Sequence, residues 1–128
     1  MNKKKIFLLD DEPDFVKVIK ARLEANNYEV ITASNGKEAL ERIESDNPDA
    51  IILDILMPQM DGYQVCERLR QGKKTADIPI ILLTAKDLEP RGIDDRCLKL
   101  GIDAFLSKLA DVKELLAKIE EVLKINQR

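Results

Sequence analysis

The chain contains no histidine, and that single absence removes several chemistries at once. A histidine-based metal site, a Ser-His-Asp triad and a histidine general base are all excluded. Any phosphohistidine chemistry has to draw its histidine from another molecule. Cysteine is scarce: Cys66 and Cys97 are far apart and form no C-x-x-C pattern, so they read as small apolar helix residues in a reducing compartment. Long hydrophobic runs are missing as well. None approaches the ~20 residues that span a bilayer, and between Lys3-Lys4-Lys5 and Asp10 stand only Ile6-Phe7-Leu8-Leu9, too few for the apolar core of a signal peptide. Nor does one sign of charge dominate: 21 Lys and Arg against 24 Asp and Glu leave a net −3 without a basic stripe, which argues against direct binding of nucleic acid. The composition, 45% hydrophobic and 35% charged over 128 residues, therefore predicts one cytoplasmic globular domain over 1–128, away from membranes and large enough to bury a core unaided.

What is present is a set of short apolar runs that end in chemistry. Ile6-Phe7-Leu8-Leu9 runs into Asp10-Asp11, Ala50-Ile51-Ile52-Leu53 into Asp54, Ile80-Ile81-Leu82-Leu83 into Thr84, and Ala104-Phe105-Leu106 stops two residues short of Lys108. Such Ile- and Leu-rich runs, separated by helix-like stretches, predict buried parallel strands. Val30-Ile31-Thr32-Ala33 supplies another strand, and Ile78-Pro79 is expected to open the fourth. Helical spacing appears in Phe15, Val18, Ile19 and Leu23, which end at Asn26-Asn27, and in Leu40 and Ile43 after the Ser34-Asn35-Gly36 turn. It recurs from about Gly62 to Gly72 with Val65, Cys66 and Leu69 inward, in Ile93, Cys97 and Leu100 before Gly101, and in Val112, Leu115, Leu116, Ile119, Val122 and Leu123. Five strands alternating with five helices predict a doubly wound, three-layer α/β sandwich with right-handed crossovers. Periodicity by itself leaves the strand order open.

In open α/β sheets the functional crevice lies at the carboxyl ends of the strands. Singly, none of these residues says much: an Asp after a strand is often a helix cap, and Asp94-Asp95 is a pair expected on a solvated face. Together they are informative. Asp10, Asp11 and Asp54 would crowd like charge at one edge and raise carboxyl pKa values unless a cation sat among them. An all-oxygen set without His or Cys points to Mg²⁺ or Mn²⁺. Thr84 could hydrogen-bond a phosphoryl oxygen with Ala85 leaving room beside it, Lys108 could place a mobile charge on another, and a carboxylate in this company can attack phosphorus and hold an aspartyl phosphate.

With Leu9-Asp10-Asp11-Glu12, the block from Ile52 to Gly62 (Ile-Leu-Asp-Ile-Leu-Met-Pro-Gln-Met-Asp-Gly), Leu83-Thr84-Ala85 and Ser107-Lys108 falling in that order, the chain resembles, over its whole length, the receiver domains of two-component response regulators. The resemblance implies a sheet ordered 2-1-3-4-5 and Asp54 as phospho-acceptor. It implies Asp10 and Asp11 as an acid pair, with Asp11, Asp54 and the backbone carbonyl of Leu56 directly on Mg²⁺. Thr84 and Phe105 resemble a switch pair, Phe105 reading equally well as a plain core aromatic, while Leu56 and Lys86 flank the phosphoryl site. The implied partners are a sensor histidine kinase or phosphotransfer protein and an output domain or protein, controlled through the face made by the fourth helix, fifth strand and last helix. The protein would act as a monomer or a phosphorylation-dependent homodimer, and as no enzyme beyond its own phosphorylation and slow dephosphorylation. The chain ends at Gln127-Arg128, soon after the last helical stripe, which fits a stand-alone receiver or a piece of a longer regulator or hybrid kinase.

Two features depart from the family pattern. Leu109 follows Lys108 where proline is usual, and the loop with Glu89-Pro90 is slightly long. A cis bond costs ~2.5–4 kcal/mol before an ordinary residue against ~0.5–1 before proline, so Lys108-Leu109 is expected to be trans, with the long lysine stem still reaching Asp54. Three rivals share the architecture or the site. A flavodoxin-like FMN protein would need a phosphate cradle where Asp10-Asp11-Glu12-Pro13-Asp14 repels phosphate. A Mg²⁺-dependent phosphohydrolase would carry a general acid at the position of Leu56. A pseudo-receiver interaction module would not need the full residue set.

Overall fold

The computed structural model describes residues 3–54, 62–84 and 99–125, and of Thr84 and Ile125 the backbone only. The elements run β1 (Lys4–Leu9), α1 (Pro13–Ala25), β2 (Tyr28–Ala33), α2 (Gly36–Asp46), β3 (Ala50–Asp54), α3 (Gly62–Gln71), β4 (Ile80–Thr84), β5 (Ala104–Ser107) and α4 (Val112–Ile125). Four helices thus stand among the described residues. The helix expected around Ile93, Cys97 and Leu100 lies mostly outside them, as do Asp94-Asp95 and the Glu89-Pro90 loop. Its last turn is visible at Lys99 and Leu100, followed by Gly101 at φ 63, the left-handed conformation that ends helices and that glycine adopts without a side-chain clash.

The strands form one parallel sheet in the order β2-β1-β3-β4-β5. Because successive side chains point to opposite faces, each strand feeds two cores. Phe7, Leu9, Ile51, Leu53, Ile80 and Leu82 pack on Ala39 and Ile43 of α2 and on Val65, Cys66 and Leu69 of α3. Ile6, Leu8, Ile52, Ile81 and Leu83 pack on Leu23 of α1 and on Leu115, Ile119 and Val122 of α4. Residues 6–9 and 50–53 are fully buried, as continuous apolar strands require when helices cover both faces. Each such aliphatic side chain adds roughly 1.5–3 kcal/mol to the drive for folding. This rigid two-faced sheet is what places the ends of β1, β3, β4 and β5 side by side.

Local chemistry sets the boundaries. Pro13 opens α1 at a position where a missing N–H costs nothing. The Asn35 side chain accepts from the Glu38 amide at 2.9 Å and so caps α2, and Asn27 and Asn47 take the positive-φ conformations that end α1 and α2. Strands β1 and β2 start earlier than their apolar runs, since Lys5 and Glu29 are register partners and pair at 3.7 Å on the rim. Strand β4, in contrast, starts at Ile80 instead of Ile78-Pro79. The Ile78 amide turns back to the Thr75 carbonyl, and Pro79 has no N–H for a ladder.

Candidate functional site

Register brings the four strand ends together. Leu9 pairs with Leu53, Asp54 with Leu83, and Thr84 with Ser107, so Asp10, Asp54, Thr84 and Lys108 arrive at one edge. The Thr84 backbone is in place at that edge, while its hydroxyl, Ala85, Lys86 and the Leu56 carbonyl lie outside the description.

Lys108 is the hub. Its Nζ lies 3.1 Å from Asp54 Oδ2, 2.9 Å from Asp10 Oδ2 and 2.5 Å from Glu12 Oε1, with the Phe15 ring centroid 5.0 Å away. The Lys108-Leu109 bond is trans, as Leu109 implied. The turn that carries the lysine is closed without proline: Ser107 Oγ accepts from the Leu109 amide at 3.0 Å and the Ser107 carbonyl from the Ala110 amide at 3.0 Å. Asp111 then caps α4 by accepting from the Glu114 amide. Burial works against the lysine's charge, but the contacts with Glu12, Asp10 and Asp54 outweigh it and hold the ammonium well above the usual lysine range.

Asp10 is 1% exposed and Asp54 4%. One Asp10 oxygen, Oδ1, accepts from the Glu12 amide at 2.9 Å. The other, Oδ2, touches Lys108 as an ion pair but has no directed hydrogen bond. Burial raises the Asp10 pKa, the Asp54 charge adds to the rise, and the Glu12 amide and Lys108 only partly offset it. A neutral amide should therefore suit the position better than the carboxylate. Asp10→Asn is expected to raise stability by about 1 kcal/mol at neutral pH in metal-free buffer, read as a higher urea midpoint. An unchanged or lower midpoint would show that the carboxylate is already well compensated.

One carboxylate oxygen each of Asp10, Glu12 and Asp54 lies within 4.8 Å of the others. Three hard oxygen donors are the ligand type that a small divalent cation takes, and here they converge on the Lys108 ammonium. The member that sequence reasoning gave no role is Glu12. Asp11, expected as a direct ligand, lies outside this cluster and lines the adjacent cavity of about 410 Å³ with Lys17, Lys20 and Glu38. Phe105 is 41% exposed, so the plain core reading does not hold. Its partner Leu82 lies on the α2/α3 face, and β5 is the edge strand, with no described helix over Phe105.

The family described as Response regulator receiver domain matches residues 6–120. The chain belongs to that family. It is a receiver domain of a two-component system. Among its relatives, the alkaline phosphatase synthesis transcriptional regulatory protein PhoP of Bacillus subtilis is 41% identical over 121 residues, which are 94% of this chain and 49% of that protein. The chain spans about half the length of the curated relatives it matches. Similar solved structures include a putative response regulator from Chloroflexus aurantiacus, 31% identical with a TM-score of 0.88 over 95% of this chain and 98% of that one. Another is the receiver domain of a sensor histidine kinase from Pseudomonas aeruginosa, with magnesium coordinated in its active site cleft, 30% identical with a TM-score of 0.85 over 95% of this receiver and 98% of that chain. Among the described residues no helix is long and apolar enough to cross a membrane.

Proposed function

We propose that this receiver accepts a phosphoryl group on Asp54 from a histidine kinase or phosphotransfer protein and passes the change to an output. The observation that carries the reading is Asp54 itself: a carboxylate 4% exposed at the end of β3, held 3.1 Å from Lys108 and beside Asp10. In the transfer, an Asp54 oxygen attacks phosphorus as the bond from phosphorus to the donor's histidine nitrogen breaks, and the nitrogen keeps the electron pair. Lys108 then holds a phosphoryl oxygen, and the Thr84 hydroxyl would donate a hydrogen bond to another. Asp11, Asp54 and the Leu56 carbonyl would hold Mg²⁺, with Asp10 behind them. The ion supplies charge neutralisation for a dianionic phosphoryl group approaching carboxylates.

Output would run through Phe105 and the face formed by a fifth helix before Gly101, β5 and α4. The exposed ring is free to turn inward when Thr84 moves. Because PhoP is a transcriptional regulator, the unmatched half of a protein of that kind would carry DNA binding, which the −3 charge of this chain does not favour. Beyond its own phosphorylation and dephosphorylation the domain would catalyse nothing.

Acetyl phosphate with Mg²⁺ should add one phosphoryl group, seen by mass spectrometry, and none to Asp54→Asn. Mg²⁺ alone should raise the melting temperature by mass action in wild type and not in Asp11→Asn. Full labelling of Asp54→Asn would sink the acceptor assignment, and an equal Mg²⁺ shift in both proteins would sink the ligand assignment.

A further inference from the structure

Glu12 spends a 63% exposed side chain on Lys108, and this pairing has no part in the transfer step. An ammonium has three N–H bonds, and around Nζ stand three carboxylates, from Glu12, Asp10 and Asp54, with the Phe15 ring near by. A phosphoryl oxygen arriving at Asp54 has to draw the ammonium away from one of these carboxylates, since all three hold its charge within 3.1 Å. Asp54 is the acceptor. Asp10 is buried and its Oδ2 has no hydrogen-bond donor to replace the lysine, so releasing it would strand a buried charge. Glu12 can be solvated at little cost, as exposed ion pairs are weak. Its backbone is fixed, the amide on Asp10 Oδ1 and the carbonyl accepting from the Val16 amide at 3.0 Å, so only the side chain has to swing away.

We propose that Glu12 is a positioning residue, a latch that holds Lys108 in its resting place and competes with the incoming phosphoryl group for it. The inference rests on the Asp54 reading above. Glu12 slows phosphorylation by keeping one lysine N–H engaged and by adding a negative charge within 4.8 Å of the acceptor. Glu12→Gln keeps the shape of the side chain and removes the charge that holds the ammonium.

The test compares acetyl phosphate-driven phosphorylation, in Mg²⁺, of the wild-type chain, Glu12→Gln and Asp14→Asn. Asp14 is an exposed acid in the first turn of α1, two residues after Glu12 at the N-cap, and its variant makes the same change in net charge. Glu12→Gln should react about two- to fivefold faster, the range that an ion pair with one exposed partner supports, while Asp14→Asn stays near wild type. In ¹⁵N NMR of the lysine side chains, the Lys108 Nζ signal should shift in Glu12→Gln with the melting temperature unchanged, which a merely structural role would not produce. Equal acceleration by both variants would mean bulk charge and would overturn the latch, and so would a Glu12→Gln rate at or below wild type. Failure of the wild type to take any phosphoryl group would instead refute the Asp54 reading.

Discussion

Arg70→Ala is expected to lower the unfolding free energy by about 3 kcal/mol, a drop of roughly 10 °C in melting temperature for a domain of this size. Arg70 projects from the last turn of α3 and hydrogen-bonds four carbonyls: Leu100 at 2.9 Å, Gly101 at 2.7 Å, Ala76 at 2.7 Å and Ile78 at 2.9 Å. It also lies 3.6 Å from Asp103. Asp103 in turn accepts from the Ile80 amide at 2.9 Å and donates its own amide to the Ile80 carbonyl at 3.0 Å. One planar, five-donor group thus ties α3 to the segments that enter β4 and β5, and it places a cation at the carbonyl end of the turn that closes at Gly101. The net value of each bond is modest because the clamp borders solvent. Arg70→Lys should recover little, since an ammonium cannot reach four carbonyls spread across that span. Denaturant unfolding measures the loss, and a cost below about 1 kcal/mol would mean that water replaces the clamp without penalty.

Lys108→Met should be nearly as damaging, by about 2–3 kcal/mol in metal-free buffer at pH 7, because it leaves Asp10 and Asp54 buried beside each other without their cation. The pH dependence carries a sign. The Asp10 pKa is already above its ordinary value and rises further without the lysine. A carboxyl whose folded pKa is raised favours the fold when protonated. Its stabilisation is complete below the unfolded value and is lost as pH rises through the folded one. The deficit of Lys108→Met should therefore be largest at neutral pH and shrink on acidification toward about pH 4. Alkali should spare the wild-type cluster at first. The Lys108 pKa is raised above 10.5, so its stabilisation is intact up to that pH and fades only beyond it. Urea titrations of both proteins across this range test the sign, and a deficit that grows on acidification would contradict the account of Asp10. Mg²⁺ should stabilise the variant, since a cation then fills the place of the lost charge.

Much of this receiver was legible before any coordinate, because its strongest signals are local. Apolar runs four residues long ending in Asp10, Asp54 and Thr84 mark strand ends, and strand ends in such sheets face a common crevice. The 3.6-residue spacing of Leu115, Ile119 and Val122 marks the face of α4 that is buried. Leu109 in place of proline was enough to anticipate a trans bond, since that preference belongs to a single peptide unit.

By itself, then, the sequence determined the alternation of strands and helices and the identity of the residues at the carboxyl edge, since side-chain volume, backbone preference and chain order act over a few residues. The strand order was available from it only through likeness to a family, because periodicity says nothing about which strand lies beside which. Other features were decided only in the folded chain. Glu12 joins Lys108 from 96 positions away, while Asp11 stays outside the carboxylate cluster and lines the neighbouring cavity beside Asp10. Phe105, on the edge strand β5, is 41% exposed with no described helix over it, and Arg70 became a clamp because the fold brought Leu100, 30 positions on, to its guanidinium. These contacts join parts of the chain with no local pattern in common, and only packing the helices on both faces of the sheet sets the distances between them.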